Sequence, residues 1–462
     1  MSNPKKLNLF DLTMIVVSLV IGMGIFRTPV VAAAKTGTPA LFFLAWLIGG
    51  LVALCGALTY AEIGSRYPVT GGYYKIFSYG YHPSLAFAIN CIILVSNAMS
   101  TAGVAVIGAE YIGRFFYPDL VPQLFKEEVT VGVVILFYVI NMLGLKMSSR
   151  VQNVLAMIKI TLVLLLLLSV FGHFPVTVQS VAPPGSALSH ATGSLLPQPP
   201  HPFGWLKALG IGLIAVSFTY GGYQQSINFG GEVSRPVRTI PRGIGLGIAI
   251  ILLLYLSLNF VYVRVIGFEN LKTADSIAAV LIHHLFGPVG ESILRVLMFL
   301  SVLAYVNVLM MSNPRVMFAM SEEGILPAIF KMKTRRHDVI VYSLTAFSLV
   351  IVLTLVFSST IEKIINYAIF LDSIGMSTSA ATIFILRRRR VGEEGDIYRI
   401  RLYPLLPLIF ILAYVGVATS IVLDDPGSAG YGILIFGAFF VLYFAVRLIQ
   451  AWRKPSGQAP LT

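Results

Sequence analysis

Long apolar runs separated by short polar segments dominate this chain. Each run holds about 20 residues, the length that an α-helix needs to cross the hydrocarbon core of a bilayer. The pattern predicts an all-α integral membrane protein with about twelve transmembrane helices. The predicted spans are residues 10–34, 39–64, 83–114, 128–146, 151–173, 204–231, 241–266, 291–320, 338–358, 362–386, 403–423 and 430–451.

Two of the predicted spans are interrupted by glycine. Gly22 and Gly24 lie within the first apolar run, and Gly221 and Gly222 lie within the sixth. Glycine costs about 1 kcal/mol relative to alanine inside a helix. Irregular backbone inside a membrane is tolerated only where it is buried in protein or lines a cavity. Interrupted spans at matching places in two halves therefore indicate the binding site of a transporter.

The interrupted spans also predict the internal organisation of the chain. Spans one to five and six to ten start on opposite sides of the membrane, and each set begins with a broken helix, as in a 5+5 inverted repeat. The predicted parts of one transporter domain, 1–462, are a first repeat over 10–173, a second over 204–386 and two additional helices over 403–453. We expect an irregular outer loop at 174–202 and a short outer helix within 268–285.

Composition agrees with a membrane protein and argues against several other classes. Hydrophobic residues make up 57% of the 462 residues and charged residues 11%, with a mean hydropathy of +0.85, whereas soluble domains carry about 25% charged residues. The histidines lack metal-ligand spacing, and the chain has no phosphate-binding glycine loop of the P-loop type. We therefore expect no enzyme, no metal site and no cofactor.

Positive charge is concentrated on one side of the predicted membrane, although the net charge of +13 could by itself suggest nucleic acid. By the positive-inside rule, this distribution of charge predicts that both termini lie in the cytoplasm. We expect the protein to lie in the plasma (inner) membrane of the cell. These charges are expected to contact anionic lipid, not nucleic acid. The segments are Lys5 and Lys6, Arg66 and Lys75, Lys146 and Arg150, 235–242, 331–336, 387–401, and Arg453 with Lys454.

The break in the first span offers partial charge of both signs to a ligand. A new half-helix begins after Gly22-Met23-Gly24, and its free N–H groups favour a carboxylate. The unpaired carbonyls of the preceding half-helix favour a cation. An α-amino acid carries both groups close together, so the break predicts an amino-acid site. A glycine packing notch between helices is the alternative.

Aromatic residues surround the second break. Phe218, Tyr220 and Tyr223 flank Gly221-Gly222. Exposed carbonyls there would hold an ammonium group, and one ring could close over the ligand. Ordinary packing would account for some of the three rings.

Four motifs follow one another along the chain: residues 22–26, 58–68 with 71–73, 218–223 with 232–233 and 236–242, and Arg315 with 318–327. Together they resemble the motifs of the amino acid–polyamine–organocation superfamily, in particular those of the L-type amino acid transporter branch and its bacterial relatives. The motifs are in the family's order and cover most of spans one to eight. The resemblance implies the leucine-transporter-type fold, alternating access and amino-acid substrates.

The resemblance also implies roles for single residues. The family's carboxylate-binding backbone corresponds to Met23, Gly24 and Ile25, its aromatic gate to Phe218, and its ammonium-binding carbonyls to Ile21 and to 218–221. The predicted substrate-binding residues are Ile21, Gly22, Met23, Gly24, Ile25, Phe218, Thr219, Tyr220, Gly221 and Tyr223. Tyr223 and Gln224 replace the family's Trp and Asn, and Met23 replaces a small residue, which leaves the identity of the substrate open.

A lysine lies inside the fifth span. Lys159 has apolar neighbours on both sides, and an ionisable residue within a membrane span predicts a function. In the resembled branch, a lysine at this place fills the position that sodium occupies in sodium-coupled relatives. A fixed ammonium group would replace sodium structurally and make an exchanger or a facilitator, whereas a titrating one would couple transport to protons. A lysine that snorkels to the membrane surface is the remaining alternative.

Other polar residues within spans give weaker signals. Asn97, Ser301 and Asn307 could line the site, although such residues often form hydrogen bonds between helices. Asp372 could be a proton-relay carboxylate or a hydrogen-bonded helix contact. We expect no acidic side chain near the breaks to bind the far end of a cationic substrate, which argues against polyamines.

These features predict a secondary transporter for neutral, fairly large or apolar amino acids. A proton-coupled amino-acid or polyamine carrier is the first alternative, and an ion channel or proton-pumping subunit is an alternative of a different class. Mammalian L-type transporters bind a partner through a cysteine between spans three and four. Residues 117–128 contain none, so no disulfide-linked subunit is expected.

Overall fold

Sixteen α-helices form most of the described part of the chain in the computed structural model. The structure describes residues 6–22, 24–117, 120–173, 204–274, 276–335, 337–356, 358–393, 396–424 and 426–452. The helices are α1 Leu9–Val20, α2 Gly24–Thr36, α3 Pro39–Arg66, α4 Gly72–Gly80, α5 Pro83–Gly113, α6 Gln123–Met142, α7 Leu145–Leu167, α8 Gly204–Thr219, α9 Pro236–Ile266, α10 Phe268–Leu271, α11 Ile277–Phe286, α12 Pro288–Glu322, α13 Val341–Val356, α14 Ser358–Arg388, α15 Leu405–Asp424 and α16 Pro426–Trp452.

Seven of these helices are long and apolar enough to cross a membrane by themselves, and the pair α1–α2 adds an eighth span. The seven are α3, α5, α7, α9, α12, α15 and α16. The chain is therefore a multi-pass, all-helical membrane protein. Helices α8, α11 and α13 contain shorter apolar stretches, so the count of twelve spans stays a prediction. Helices α10 and α11 confirm that 268–285 contains short helices, while the predicted loop at 174–202 lies outside the described residues.

The first predicted break is present. Helix α1 ends at Val20, α2 begins at Gly24, and the two axes differ by 43°. A capping box starts α1, because the Asn8 side chain accepts from Asp11 N and the Asp11 carboxylate accepts from Asn8 N. Every residue of α1 from Leu12 onward is buried, so this half-helix lies in the centre of the molecule.

The second predicted break is present as well. Helix α8 ends at Thr219, and after Gly221 and Gly222 the chain continues as a 3₁₀ helix over Tyr223–Asn228. Gly222 has φ +111°, and a Cβ atom there would lie 2.4 Å from the carbonyl oxygen of Leu19. Only glycine allows this backbone conformation and this close approach. The two breaks are therefore in direct contact.

Helix packing places the two breaks at the core and the last two helices at the edge. Helix α1 packs against α7, α9 and α12, α2 packs against α8, and α3 packs against α9. Helix α15 contacts α14 and α3, and α16 contacts α5 and α14. Only 17% of the apolar window of α15 and 11% of that of α16 is buried, so the rest of the described chain leaves most of the surface of these two helices uncovered.

A buried carboxylate ties three segments together at the end of α3. Glu62 has no exposed surface. Its oxygens accept hydrogen bonds from Arg66 Nε at 2.7 Å, from Arg387 Nε and Nη2 at 2.8 and 2.7 Å, and from the Ile400 amide at 2.8 Å. The network joins α3, the end of α14 and the chain that leads into α15, and every oxygen of the carboxylate is satisfied.

We expect Glu62→Ala to destabilise the protein strongly. Removal of one partner from a buried ion pair costs about 3–5 kcal/mol, because the remaining charges stay buried without compensation. The midpoint of thermal unfolding of the purified protein in detergent should fall clearly. Glu110→Ala is the control, since Glu110 pairs with Arg114 at 3.1 Å but is 44% exposed, where such pairs contribute about 0–1 kcal/mol. Equal midpoints for the two variants would contradict the role of the Glu62 network.

Candidate substrate site

A cavity of about 230 Å³ lies between the two helix breaks. Gly22 and Gly24 line it from the first break, and Gly221 and Gly222 from the second. The volume is below the roughly 300–1,000 Å³ of pockets for drug-sized ligands, so the cavity suits a small molecule. The other lining residues with polar side chains are Ser96, Asn97, Ser100, Ser217, Thr219, Gln224, Gln225, Tyr305, Asp372, Ser373 and Tyr414.

The carbonyl groups at the first break are held by side chains from another helix. Tyr255 OH donates to the Val20 carbonyl at 3.1 Å, and Tyr262 OH donates to the Ile25 carbonyl at 3.3 Å. Both tyrosines belong to α9 and are fully buried. They supply partners for backbone groups that a membrane would otherwise leave unpaired.

Lys159 lies behind the same break. Its side chain has no exposed surface, and Nζ donates to the Ile21 carbonyl at 2.5 Å. Lys159 is absent from the described lining of the cavity. The ammonium group therefore lies in the protein interior, away from the membrane surface to which a snorkelling lysine extends, and it fixes the end of α1 to α7.

The start of α2 lies at the wall of the cavity. The first turn of any helix has N–H groups without intrahelical partners, and they carry partial positive charge. Gly24 is the first residue of α2 and lines the cavity, while Ile25 is buried beside it. Met23, the predicted centre of the carboxylate site, lies outside the described residues.

Thr219 and Gln224 stabilise the second break. Thr219 Oγ1 donates to Thr28 Oγ1 at 2.7 Å and so connects α8 to α2. The Gln224 side chain accepts from the Gly222 amide at 2.9 Å. Both side chains also line the cavity, so polar groups that maintain the backbone break are the same groups that a ligand would meet.

The aromatic residues at the second break divide between different environments. Tyr220 packs against Trp46 and Tyr255, with ring centroids 5.8 and 5.1 Å apart. Tyr223 is fully buried and packs against Tyr60 at 6.1 Å. Neither tyrosine is among the described lining residues of the cavity, and the side chain of Phe218 lies outside the described part. The structure thus shows that Tyr220 and Tyr223 pack against the core.

Of the three weaker candidates, one lines the cavity. Asn97 lines it and donates from Nδ2 to Asn313 Oδ1 at 2.7 Å, while Gln225 Nε2 donates to Asn97 Oδ1 at 3.4 Å. Ser301 and Asn307 are buried on α12 but are not among the described lining residues.

Asn307 instead joins three helices. Its Nδ2 donates to Gln152 Oε1 at 2.7 Å, and its Oδ1 accepts from Asn141 Nδ2 at 3.1 Å. These contacts connect α12 to α7 and α6, as expected for an amide that stabilises a helix bundle inside a membrane.

The structure adds two residues that sequence reasoning missed, Ser100 and Tyr305, which share a hydrogen bond of 2.9 Å at the cavity wall. Asp372 on α14, predicted from the sequence as a proton-relay carboxylate or a helix contact, also lines the cavity. The expectation that no acidic side chain lies near the breaks was therefore wrong. Proximity in sequence was the wrong measure, because α14 reaches the site through tertiary packing.

A cluster of contacts joins the ends of α1 and α12 to the segment after the second break. Leu7 N donates to the Glu232 carbonyl at 2.9 Å, and Ser234 N donates to the Leu7 carbonyl at 2.9 Å. Arg315 Nε donates to the Glu232 carboxylate at 2.6 Å, and its guanidinium lies 4.5 Å from the centre of the Phe229 ring. These contacts tie the N-terminal segment and α12 to the chain that follows the second break.

Comparison with known proteins identifies relatives along nearly the whole chain. The model of the amino acid permease family matches residues 7–447. The chain is 28% identical to the serine/threonine exchanger SteT of Bacillus subtilis, covering 96% of this chain and 97% of that protein. It is 24% identical to the human cystine/glutamate transporter (93% and 83% covered) and to the human large neutral amino acids transporter small subunit 2 (95% and 80% covered).

We expect Gly24→Val to abolish ligand binding. A Cβ atom alone at Gly24 would lie 3.1 Å from Thr219 Cγ2 and 3.3 Å from Thr219 Oγ1, so the larger side chain must displace Thr219 and cover the first turn of α2. Uptake of labelled amino acids into proteoliposomes measures the effect. Gly245→Val in α9 is the control, because a Cβ atom there meets no other atom within 4 Å. Unchanged uptake by Gly24→Val would exclude the break as the binding site.

Proposed function

The chain belongs to the amino acid permease family, and from that premise we propose that it is a sodium-independent exchanger of neutral amino acids in the plasma membrane. The observation that carries the proposal is the cavity enclosed by the backbone of both helix breaks. Relatives named for serine and threonine and for large neutral amino acids support the neutral class. The choice among neutral amino acids depends on the walls of the cavity.

The backbone of the two breaks would bind the part that all α-amino acids share. The carboxylate would accept from the N–H group of Met23 and from those of Gly24 and Ile25 at the start of α2, where the helix dipole is positive. The Ile21 carbonyl already accepts from Lys159, so the ammonium group would bind mainly at the carbonyls of 218–221. Phe218 would close over the bound molecule.

Lys159 would replace a coupling cation in this mechanism. Its ammonium group lies 2.5 Å from a carbonyl oxygen at the end of a half-helix, which is the kind of site that binds sodium in other broken-helix transporters. A positive charge that is part of the chain needs no ion gradient. Transport would then be driven by the concentrations of the exchanged amino acids.

The twelve-helix 5+5 arrangement remains part of the proposal. The two broken elements begin the segments 10–173 and 204–386, and the two helices within 403–453 pack at the edge of the bundle. The charge distribution supports cytoplasmic termini. Alternating access would require the contacts of Leu7, Glu232 and Arg315 to separate, because they join the two breaks on one side of the cavity.

The protein would work without a disulfide-linked subunit. Its two cysteines are Cys55, which is buried on α3, and Cys91 on α5, which packs against the hydrophobic core. Both lie within apolar helices that meet the criteria for membrane spans. A disulfide bond to a second chain would need an accessible cysteine sulfur, which neither of these positions offers.

Uptake into proteoliposomes that contain the purified protein tests the proposal. Labelled neutral amino acids should accumulate when the vesicles are preloaded with an unlabelled neutral amino acid, and the rate should not depend on sodium. Accumulation that requires a proton gradient instead of internal amino acid would support the proton-coupled alternative. An absence of uptake for every amino acid tested would contradict the proposed function.

We expect Lys159→Ala to reduce uptake by about 10- to 100-fold, which corresponds to the loss of about 1.5–3 kcal/mol for a hydrogen bond from a charged group. The substitution removes the donor to Ile21 and leaves a buried carbonyl unpaired. Lys126→Ala on α6 is the control, since Lys126 lies in the first turn of its helix. Uptake by Lys159→Ala at the wild-type rate from acidic to neutral pH would show that the lysine has no role in transport.

A further inference from the structure

Asp372 is the one acidic or basic side chain among the described residues that line the cavity. It lies on α14 and lines the same cavity as Gly22 and Gly24 of the first break and Gly221 and Gly222 of the second. Within the described part of the chain, no hydrogen bond or ion pair satisfies its carboxylate. An uncompensated carboxylate thus faces the space between the breaks.

Glu62 on α3 shows how this protein pairs a carboxylate that has a structural role, and Asp372 on α14 differs from it. Glu62 accepts from two arginines and a backbone amide, so protein groups compensate its charge completely. Asp372 has no comparable set of donors among the described residues. An acidic residue inside a membrane protein is costly unless it is paired or lines a pathway. A partner that enters and leaves the cavity would satisfy the carboxylate of Asp372.

The chemistry of the cavity defines that partner. An ionised carboxylate can only accept hydrogen bonds, and its strongest partners are cationic donors. The wall beside it consists of amides and hydroxyls, such as Asn97, Ser100 and Tyr305. Lys159 donates to Ile21 and does not line the cavity, so it does not supply the missing cation.

We propose that Asp372 determines specificity by binding a cationic side chain of the substrate, so that the site accepts amino acids ending in an ammonium or guanidinium group in addition to neutral ones. The inference rests on the proposed function, since the α-carboxylate and α-ammonium groups must be held at the two breaks. Asp372 then meets only the far end of the side chain. A neutral substrate leaves this contact unused.

Competition and uptake in proteoliposomes test the inference. In the wild type, unlabelled lysine, ornithine and arginine should inhibit uptake of labelled threonine or leucine and should themselves be taken up. Asp372→Asn should lower the ratio of cationic to neutral amino-acid uptake by about 10- to 100-fold, as expected for the loss of a charge-assisted hydrogen bond. Asp372→Glu, which keeps the charge, should retain part of the cationic uptake.

Glu110→Gln is the matched control, because it removes one negative charge from a membrane helix outside the described lining of the cavity. It should affect both substrate classes equally little. Retained neutral uptake shows that Asp372→Asn is folded. Equal loss of both classes in Asp372→Asn and Asp372→Glu would overturn the inference, and so would cationic uptake that is unchanged in Asp372→Asn. A wild type that takes up neutral but not cationic amino acids also overturns it, while the proposed function stands. A wild type that takes up neither contradicts the proposed function itself.

Discussion

The structure depends on one constraint, which is that a helix broken inside a membrane must find partners for the backbone groups that the break releases. At the first break these partners are side chains. Tyr255 of α9 and Lys159 of α7 donate to the Val20 and Ile21 carbonyls at the end of α1. Tyr262 of α9 donates to the Ile25 carbonyl of α2, whose intrahelical donor is missing because residue 29 is proline. The contacts of α1 with α7 and α9 therefore stabilise the interruption of the helix as well as the packing of the core. The free N–H groups of α2 remain available to a ligand.

The placement of charge follows from the same constraint. Glu62 is saturated by donors from α3, α14 and the chain before α15, so its charge holds helices together. Lys159 is committed to one backbone carbonyl. Asp372 alone among these three residues faces the cavity without a described partner. Among these three residues, Glu62 is fully paired, Lys159 is paired with one carbonyl, and only Asp372 is available to a ligand.

Several features of the fold were predictable because they depend on local chemistry. The glycines at 22, 24, 221 and 222 predicted both breaks, since paired glycines weaken a helix at matching places in the two halves of the chain. The packing of Tyr220 and Tyr223 into the core and the distance of Asn307 from the cavity were not predictable, because the direction of a side chain on a buried helix depends on its neighbours. Asp372 was recognised as a mid-span acid, yet only tertiary packing brings α14 to the breaks.

The same arrangement links the occupancy of the site to the closure of the protein. Leu7, which precedes α1, forms hydrogen bonds with residues 232 and 234 after the second break, and Arg315 of α12 forms a hydrogen bond with Glu232. The cavity lies between the two elements that these bonds join. A molecule that binds one break through its carboxylate and the other through its ammonium group must favour one relative position of the half-helices. Because a ligand shifts a conformational equilibrium only through such a difference in affinity, recognition by both breaks supplies the coupling that an exchanger needs.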